Sequence, residues 1–333
     1  ADIDSARYYD EDNIEEIARL LADFDLVIAH ALSDINIQLI NAIHSDKPTI
    51  AWKGWGYDYL DLLYDNFEGT LEYYTTKEYH RLKQDKSTRY KPFTVSSDKK
   101  LAISRIDFFC PVIIEEFDAI RTKNQCCSHF RYFDWQYGFE VSLDALVDFA
   151  KPNAKKELVW LGNSAFITNN HLDYFECVKN KPDILSLMHT LPLSYGFENY
   201  KNTVRKKAQA LIPDIRFLED FLNFSDYFNT LNSHKYMVMP HIRQQALGNI
   251  WLGLLAGNTV FLNEKSLVYK YFCRLGAFVR TLAELDACDN FSELELSDDE
   301  RTVNTQLAIS AFSEETMRNK TKLFLDQVSG KKK

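Results

Sequence analysis

The chain has 333 residues, 46% hydrophobic and 26% charged, enough to bury two separate cores and too apolar for an intrinsically disordered protein. A net charge of −9 and a pI near 5.5 argue against a nucleic-acid binder, which would carry a basic face. No apolar run reaches the roughly 18 residues of a membrane-spanning helix.

The first residues, 1–13, are acidic and lead into a predicted helix from Ile14 to Phe24. The apolar strand that normally opens a nucleotide-binding fold is absent, so a preceding segment is expected. Asp25 to Ala31 is a short continuous apolar run, the pattern of a parallel strand covered on both faces, with His30 at its exit. A helix over Ile35 to Ile43 and a strand over Pro48 to Trp52 follow. That strand empties into a loop with two glycines around Trp55, and Asp58 stands at the start of the next helix. Asp58 reads equally as an N-cap and as a catalytic or ligand-binding carboxylate. Residues 68–100 read as a helix with a mobile loop, Leu101 to Ser104 as a strand, and Val112 to Ile120 as a helix. Arg105 and Asp107 are expected to pair with each other on the surface. Tyr132 to Phe139 is aromatic and irregular, and Val141 to Phe149 is a short helix.

Lys151 to Lys156, with proline, asparagine and charge, is the best boundary in the chain. After it the alternation restarts. Glu157 to Leu161 is a strand, Gly162-Asn163-Ser164 a turn expected to lead into a helix, His171 to Val178 a helix and Ile184 to His189 a strand. Asn199 to Leu211 and Ser225 to Ser233 are helices, with Phe217 to Leu222 between them a short strand end. Tyr236 to Glu264 then reads as strand, polar turn, helix and parallel strand, and a predicted helix over 312–328, capped by Ser313, is free to cross back to the first domain. Lys331 to Lys333 form a solvated tail. Two such arrays predict an α/β protein of two doubly wound Rossmann-like domains facing a cleft, residues 1–150 and 151–330.

Three stretches could carry chemistry. The turn Gly162, Asn163, Ser164 could hold a diphosphate through backbone amides and a helix N-terminus, or be only a turn with a capping serine. Tyr195 could stack on a base and Gly196 allow close backbone approach. Arg243 is the most informative residue, because a planar guanidinium matches phosphate oxygens in pairs, and Gln244 and Gln245 beside it read sugar hydroxyls from either polarity. Gly248 and Asn249 open the following helix, and Glu264 ends the next strand, so these groups can converge at the carboxyl edge of the sheet. The Gly-x-Gly-x-x-Gly and Gly-Lys-Ser/Thr patterns are missing, as are His-Glu-x-x-His, Asp-x-Asp and a Ser-His-Asp order, so neither a metal nor a cofactor is expected. The six cysteines lack metal-ligand spacing and are expected to be reduced thiols of a cytoplasmic protein.

Taken together the motifs resemble a known family, the bacterial 4-acetamido-4,6-dideoxygalactose (fucosamine) transferases of enterobacterial common antigen synthesis, glycosyltransferase family 56. The likeness rests on Trp55-Gly56-Tyr57-Asp58-Tyr59, on Val159 to Ser164 with Asn169 and His171, on Leu191 to Gly196 followed by Tyr200, and on Arg243 to Gly248. His30, Arg105 and Asp107 also fall where the family has similar residues. The resemblance implies a GT-B fold, with a nucleotide-diphosphate sugar donor, a dTDP-linked amino sugar in the family, held by the second domain. It also implies a polyprenyl-diphosphate glycan acceptor and a peripheral contact at the inner face of the bacterial cell membrane. On this reading Gly162, Asn163, Ser164, Tyr195, Gly196, Gly248 and Arg243 hold the donor, Gln244, Gln245 and Asn249 orient its sugar, and Glu264 binds ribose. Asp58 or His30 would be the base of an inverting reaction. The rival expectations are a nucleotide-sugar 2-epimerase of the same architecture and a nonenzymatic glycan-binding protein.

Overall fold

A computed structural model describes residues 13–64, 94–135, 147 and 156–330. The lead-in, most of residues 68–100, most of the short helix over 141–149, most of the aromatic segment after Tyr132, the boundary at 151–155 and the lysine tail lie outside the described residues. The described residues gather into two compact units, one of residues 13–64, 94–135 and 318–330, the other running from 156 to 317.

The first unit is built on four parallel strands in sequential order: β1 Leu26–His30, β2 Thr49–Lys53, β3 Phe108–Cys110 and β4 Arg131–Tyr132. Because successive strand residues face opposite sides, β2 feeds two cores. Ile50 and Trp52 pack with Ile40, Ile103 and Ile120, and Trp52 lies 4.3 Å from the Phe109 ring. Ala51 turns the other way, toward Phe108, Phe133, Phe324 and Val328. The last two sit one turn apart on the helix Glu314–Gly330, and Phe324 stacks on Phe133 at 4.1 Å. Ser313 does cap that helix, accepting from the Thr316 N–H at 3.2 Å.

Leu101 to Ser104, expected as a strand, is helical within Ser97–Arg105. Ser96 caps it by accepting from the Lys99 N–H, and Ala102 and Ile103 are buried, so four apolar-rich residues take the helical period once a cap begins them. The strand comes later, at β3. Arg105 and Asp107 take separate partners: Arg105 donates to the Ser45 carbonyl, and Asp107 accepts from the Ile50 N–H.

The second unit holds six parallel strands: β5 Lys156–Leu161, β6 Met188–Pro192, β7 Ile215–Leu218, β8 His234–Met239, β9 Thr259–Leu262 and β10 Arg280–Thr281. Their order is β10-β9-β8-β5-β6-β7. The chain thus walks outward from β5 through β6 to β7, returns to the other side of β5 as β8, and walks outward again. This is the doubly wound order with its reversal between β5 and β8, where carboxyl-end loops diverge and open α/β sheets bind ligands. The strand expected at Ile184 to His189 is instead a turn of helix, Pro182–Leu185, followed by β6. Pro182 at the first helical turn favours this, since its missing N–H costs nothing there. Trp160, Tyr236 and Phe261 are fully buried along β5, β8 and β9.

Candidate functional site at the strand reversal

The loop after β5 begins at Gly162, in the left-handed region at φ +69, where an added Cβ would come within 2.7 Å of His171 Nε2. Four of its first five amides are already used. Gly162 N–H donates to the Val238 carbonyl at 2.9 Å, Asn163 N–H to Asn169 Oδ1 at 3.1 Å, Ala165 N–H to the Tyr195 carbonyl at 2.7 Å and Phe166 N–H to Ser164 Oγ at 3.4 Å. The helix begins only at His171, after a turn over Ile167–Asn169. The helix N-terminus therefore lies apart from the turn, and two of the turn's three amides, those of Gly162 and Asn163, are engaged within the protein. Ser164 is buried and accepts from Asn169 Nδ2 at 2.9 Å.

Several polar side chains meet at the reversal. Gln245 Oε1 accepts from Arg243 Nε at 3.1 Å and from Thr168 Oγ1 at 2.7 Å, while its Nε2 donates to Asn163 Oδ1 at 3.4 Å. Arginine only donates, which fixes the glutamine's orientation. Asn163 Nδ2 passes the chain on to the Tyr195 hydroxyl at 2.8 Å. One continuous polar chain thus joins the loops after β8, β5 and β6. Among the described residues Arg243 makes no other hydrogen bond and pairs with no carboxylate, leaving a half-buried fork of donors uncommitted. That geometry is suited to a dianionic ligand.

Gly196 shows why the β6 loop can come so close. At φ +128 its Cα lies against Ala165, where a Cβ would meet the carbonyl carbon at 2.3 Å. Among the described residues three non-glycines also hold positive φ, and each adjoins a candidate loop: Ala31 after His30, Asn170 before His171, and Ala246 between Gln245 and the helix Leu247–Leu255. Left-handed alanine costs about 1 kcal/mol, the sort of local strain that collects at functional sites.

Two histidines stiffen the same region. His241 Nδ1 must donate to the Arg243 carbonyl at 3.1 Å, so its Nε2 carries a lone pair, and that atom is buried with no partner among the described residues. Burial, helped by the Arg243 charge, lowers its pKa to about 3. His171, whose Nδ1 meets the Tyr200 hydroxyl at 3.3 Å, is likewise lowered to about 3 by burial. Both rings are neutral at physiological pH.

A cavity of about 200 Å³ opens beside Asn163 and Asn249. Pro192, Ser194 and Tyr195 contribute from the β6 loop, and Asp220 and Phe221 from the β7 loop, with Tyr227 behind. Asp220, Phe221 and Tyr227, like Thr168 and His241, were not singled out in the sequence. Placing β7 at 217–222 hid the first two, since the strand ends at Leu218 and they belong to the carboxyl-end loop.

Of the remaining expected residues, Gln244 is half-buried and Gly248 exposed, and neither bonds to this chain of side chains. Glu264 is exposed beyond β9, two strands from β5 or about 10 Å. In the first unit, Asp58 is buried and both its oxygens are engaged, by Leu32 N–H, Trp52 Nε1 and Trp55 N–H at 2.7–2.8 Å. His30, exposed at the end of β1, contacts the Trp135 ring at 6.0 Å, and burial of part of its ring together with the Lys53 charge lowers its pKa. No group of three or more His, Cys, Asp or Glu among the described residues could hold a metal ion, and no described helix is long and apolar enough to cross a membrane. All six cysteines are free thiols.

No family model matches the chain, and no curated protein matches its sequence. Solved structures do. An α,α-trehalose-phosphate synthase (UDP-forming) from Burkholderia vietnamiensis is 11% identical with a TM-score of 0.64, over 98% of this chain and 78% of that one. A trehalose-6-phosphate synthase from E. coli bound with UDP-2-fluoro glucose is 10% identical with a TM-score of 0.57, over 98% and 80%. The N-terminal domain of Candida albicans trehalose-6-phosphate phosphatase is 9% identical with a TM-score of 0.58, over 95% and 72%. At such identities the likeness shows the fold, which is α/β of the GT-B class.

Proposed function

We propose that the protein is a glycosyltransferase that takes a sugar from a nucleotide-diphosphate donor bound by the second unit. The observation that carries this reading is the chain Arg243, Gln245, Asn163, Tyr195 at the strand reversal, where an unpaired guanidinium faces the position open α/β sheets give to ligands. The fold likeness supports it, since the similar proteins are named as UDP-forming or were solved with a UDP-sugar analogue.

In this reading Arg243 binds the diphosphate through its terminal nitrogens and offsets the charge that builds on the leaving phosphate as the glycosidic bond breaks. Gln245 holds the guanidinium by Nε, leaving those nitrogens for the ligand, and Asn249 and Gln244 remain candidates for sugar hydroxyls. Glu264 is proposed for ribose. An inverting reaction would call on a base, for which His30 at its strand exit and Asp58 are the candidates; the Asp58 carboxylate already accepts from three N–H groups, which makes it the weaker of the two. A metal-independent reaction, a lipid-linked glycan acceptor, a dTDP-linked amino sugar and a membrane-surface location are the finer form of the proposal, and they rest on the fucosamine-transferase motifs alone.

The test is Arg243→Ala in the full chain, assayed by release of nucleotide from a panel of sugar nucleotides. The expected loss is about 10²–10³-fold in turnover, the size of removing one preorganised charge-stabilising donor. An unchanged rate would remove the central assignment. A 2-epimerase would instead give a free sugar product without any acceptor.

A further inference from the structure

The cavity beside Asn163 has a chemistry of its own. At about 200 Å³ it is smaller than the ~300–1,000 Å³ pockets that enclose a drug-sized ligand, so it suits one ring system of a sugar nucleotide and not the whole. Tyr195 and Phe221 form one wall. Their planes tilt by only 10° with centroids 5.9 Å apart, and they are 41% and 78% exposed, so two flat apolar faces meet solvent at the mouth of the cavity. Asp220 precedes Phe221, contributes the cavity's carboxylate, and makes no hydrogen bond to a described residue.

We propose that this cavity receives the nucleobase of the donor and that Asp220 selects guanine. A carboxylate only accepts, through two oxygens side by side. Guanine alone among the common bases presents two adjacent donors, N1–H and the 2-amino group, and so matches both oxygens. Uracil and thymine carry one imide N–H between two carbonyls, and one of those carbonyls would face a carboxylate oxygen. Adenine and cytosine set an amino group beside a ring-nitrogen lone pair, which meets the same repulsion. The aromatic wall stacks any base, so discrimination falls on Asp220. The inference rests on the reading of Arg243 as the diphosphate ligand, and it assigns a different base from the dTDP of the fucosamine-transferase resemblance.

Calorimetric titration of the full chain with GDP, UDP, dTDP, CDP and ADP tests it. GDP is expected to bind at least about tenfold more tightly than the others, the discrimination of one good bidentate pair. Asp220→Asn offers one acceptor and one donor, which matches the donor-beside-acceptor edges of uracil, thymine, cytosine and adenine, so the preference for GDP should be lost. Phe221→Ala should weaken every diphosphate by about tenfold without changing their order. Asp220 is exposed and unbonded among the described residues, so neither the fold nor Arg243 should be disturbed by the asparagine. UDP or dTDP binding as tightly as GDP, or an Asp220→Asn variant that keeps the GDP preference, overturns the guanine assignment while leaving the diphosphate site intact. Equal binding to Phe221→Ala places the base elsewhere. If none of the five binds, the transferase reading itself fails.

Discussion

The two sheets end in loops of opposite character. Beside the carboxyl edge of the first, charged groups are put to structural use: Asp58 gathers three N–H groups, Lys99 donates to the Asp58 carbonyl at 2.7 Å and pairs with Asp61 at 2.6 Å, and Glu116 accepts from Tyr59 at 2.6 Å. At the reversal of the second, Arg243 has one hydrogen bond and Asp220 none among the described residues. A ligand-facing charge is therefore recognised less by its residue type than by what it has been left to bind. Asp58 and Arg243 were both candidates in the sequence, Arg243 the stronger, and their partners separate them further.

Substitutions can break this contrast, beginning with the largest effect. Gly196→Ala drives a Cβ into the Ala165 carbonyl at a backbone angle alanine resists, and should cost about 3 kcal/mol or more in denaturant unfolding while abolishing nucleotide binding. Full stability in this variant would mean that the β5 and β6 loops are not locked together. Asp58→Ala leaves three N–H groups without their acceptor, two of them buried, and should cost about 2–4 kcal/mol. His30→Ala, by contrast, should leave the unfolding midpoint nearly unchanged and lower turnover if the reaction inverts. The reverse pattern, a stable but inactive Asp58 variant, would return the catalytic role to the carboxylate.

Acidification offers a second contrast. Burial lowers His171 and His241 to about 3 and His189 to about 4, all in the second unit. Above the unfolded value near 6.5 both states are neutral and the fold is undisturbed. Between 6.5 and the folded values the unfolded chain binds protons that the native rings refuse, so stability falls as pH drops through that window, by up to about 1.4 kcal/mol per pH unit for each ring. Thermal unfolding followed from pH 7.5 to 4.5 should show the slope, and His241→Asn, which removes one of the three rings, should reduce it by about a third. A midpoint independent of pH would show that these rings titrate normally. The smallest effect is expected of Gln245→Ala, which frees Arg243 from Asn163 and should weaken nucleotide binding by about 1 kcal/mol, roughly fivefold.

Much of the second unit could be read directly, because short apolar runs alternating with helical periods and polar turns leave few topologies for β8, its following helix and β9. Arg243, Asn163 and Tyr195 could be singled out as polar groups near strand exits, and the structure brings them together. The errors have a common cause. Leu101 to Ser104 and Ile184 to His189 are runs too short to fix a period, and there a cap at Ser96 and a proline at 182 decided for helix. The turn at 162–164 does not open a helix because a second turn intervenes before His171, and two of its amides donate to groups that the local pattern does not show, the Val238 carbonyl and Asn169 Oδ1. Asp220 was missed because a strand end was misplaced by a few residues, which turned a cavity wall into a core position.

In the proposed reading the strand reversal of the second unit binds a nucleoside diphosphate through Arg243. Hydrogen exchange of the full chain with and without a saturating nucleoside diphosphate tests it most directly. Protection should appear in peptides spanning 162–169, 192–196 and 240–249, and should vanish in Arg243→Ala at the same ligand concentration. Protection that persists in that variant, or that falls only in peptides of the first unit, would contradict the account.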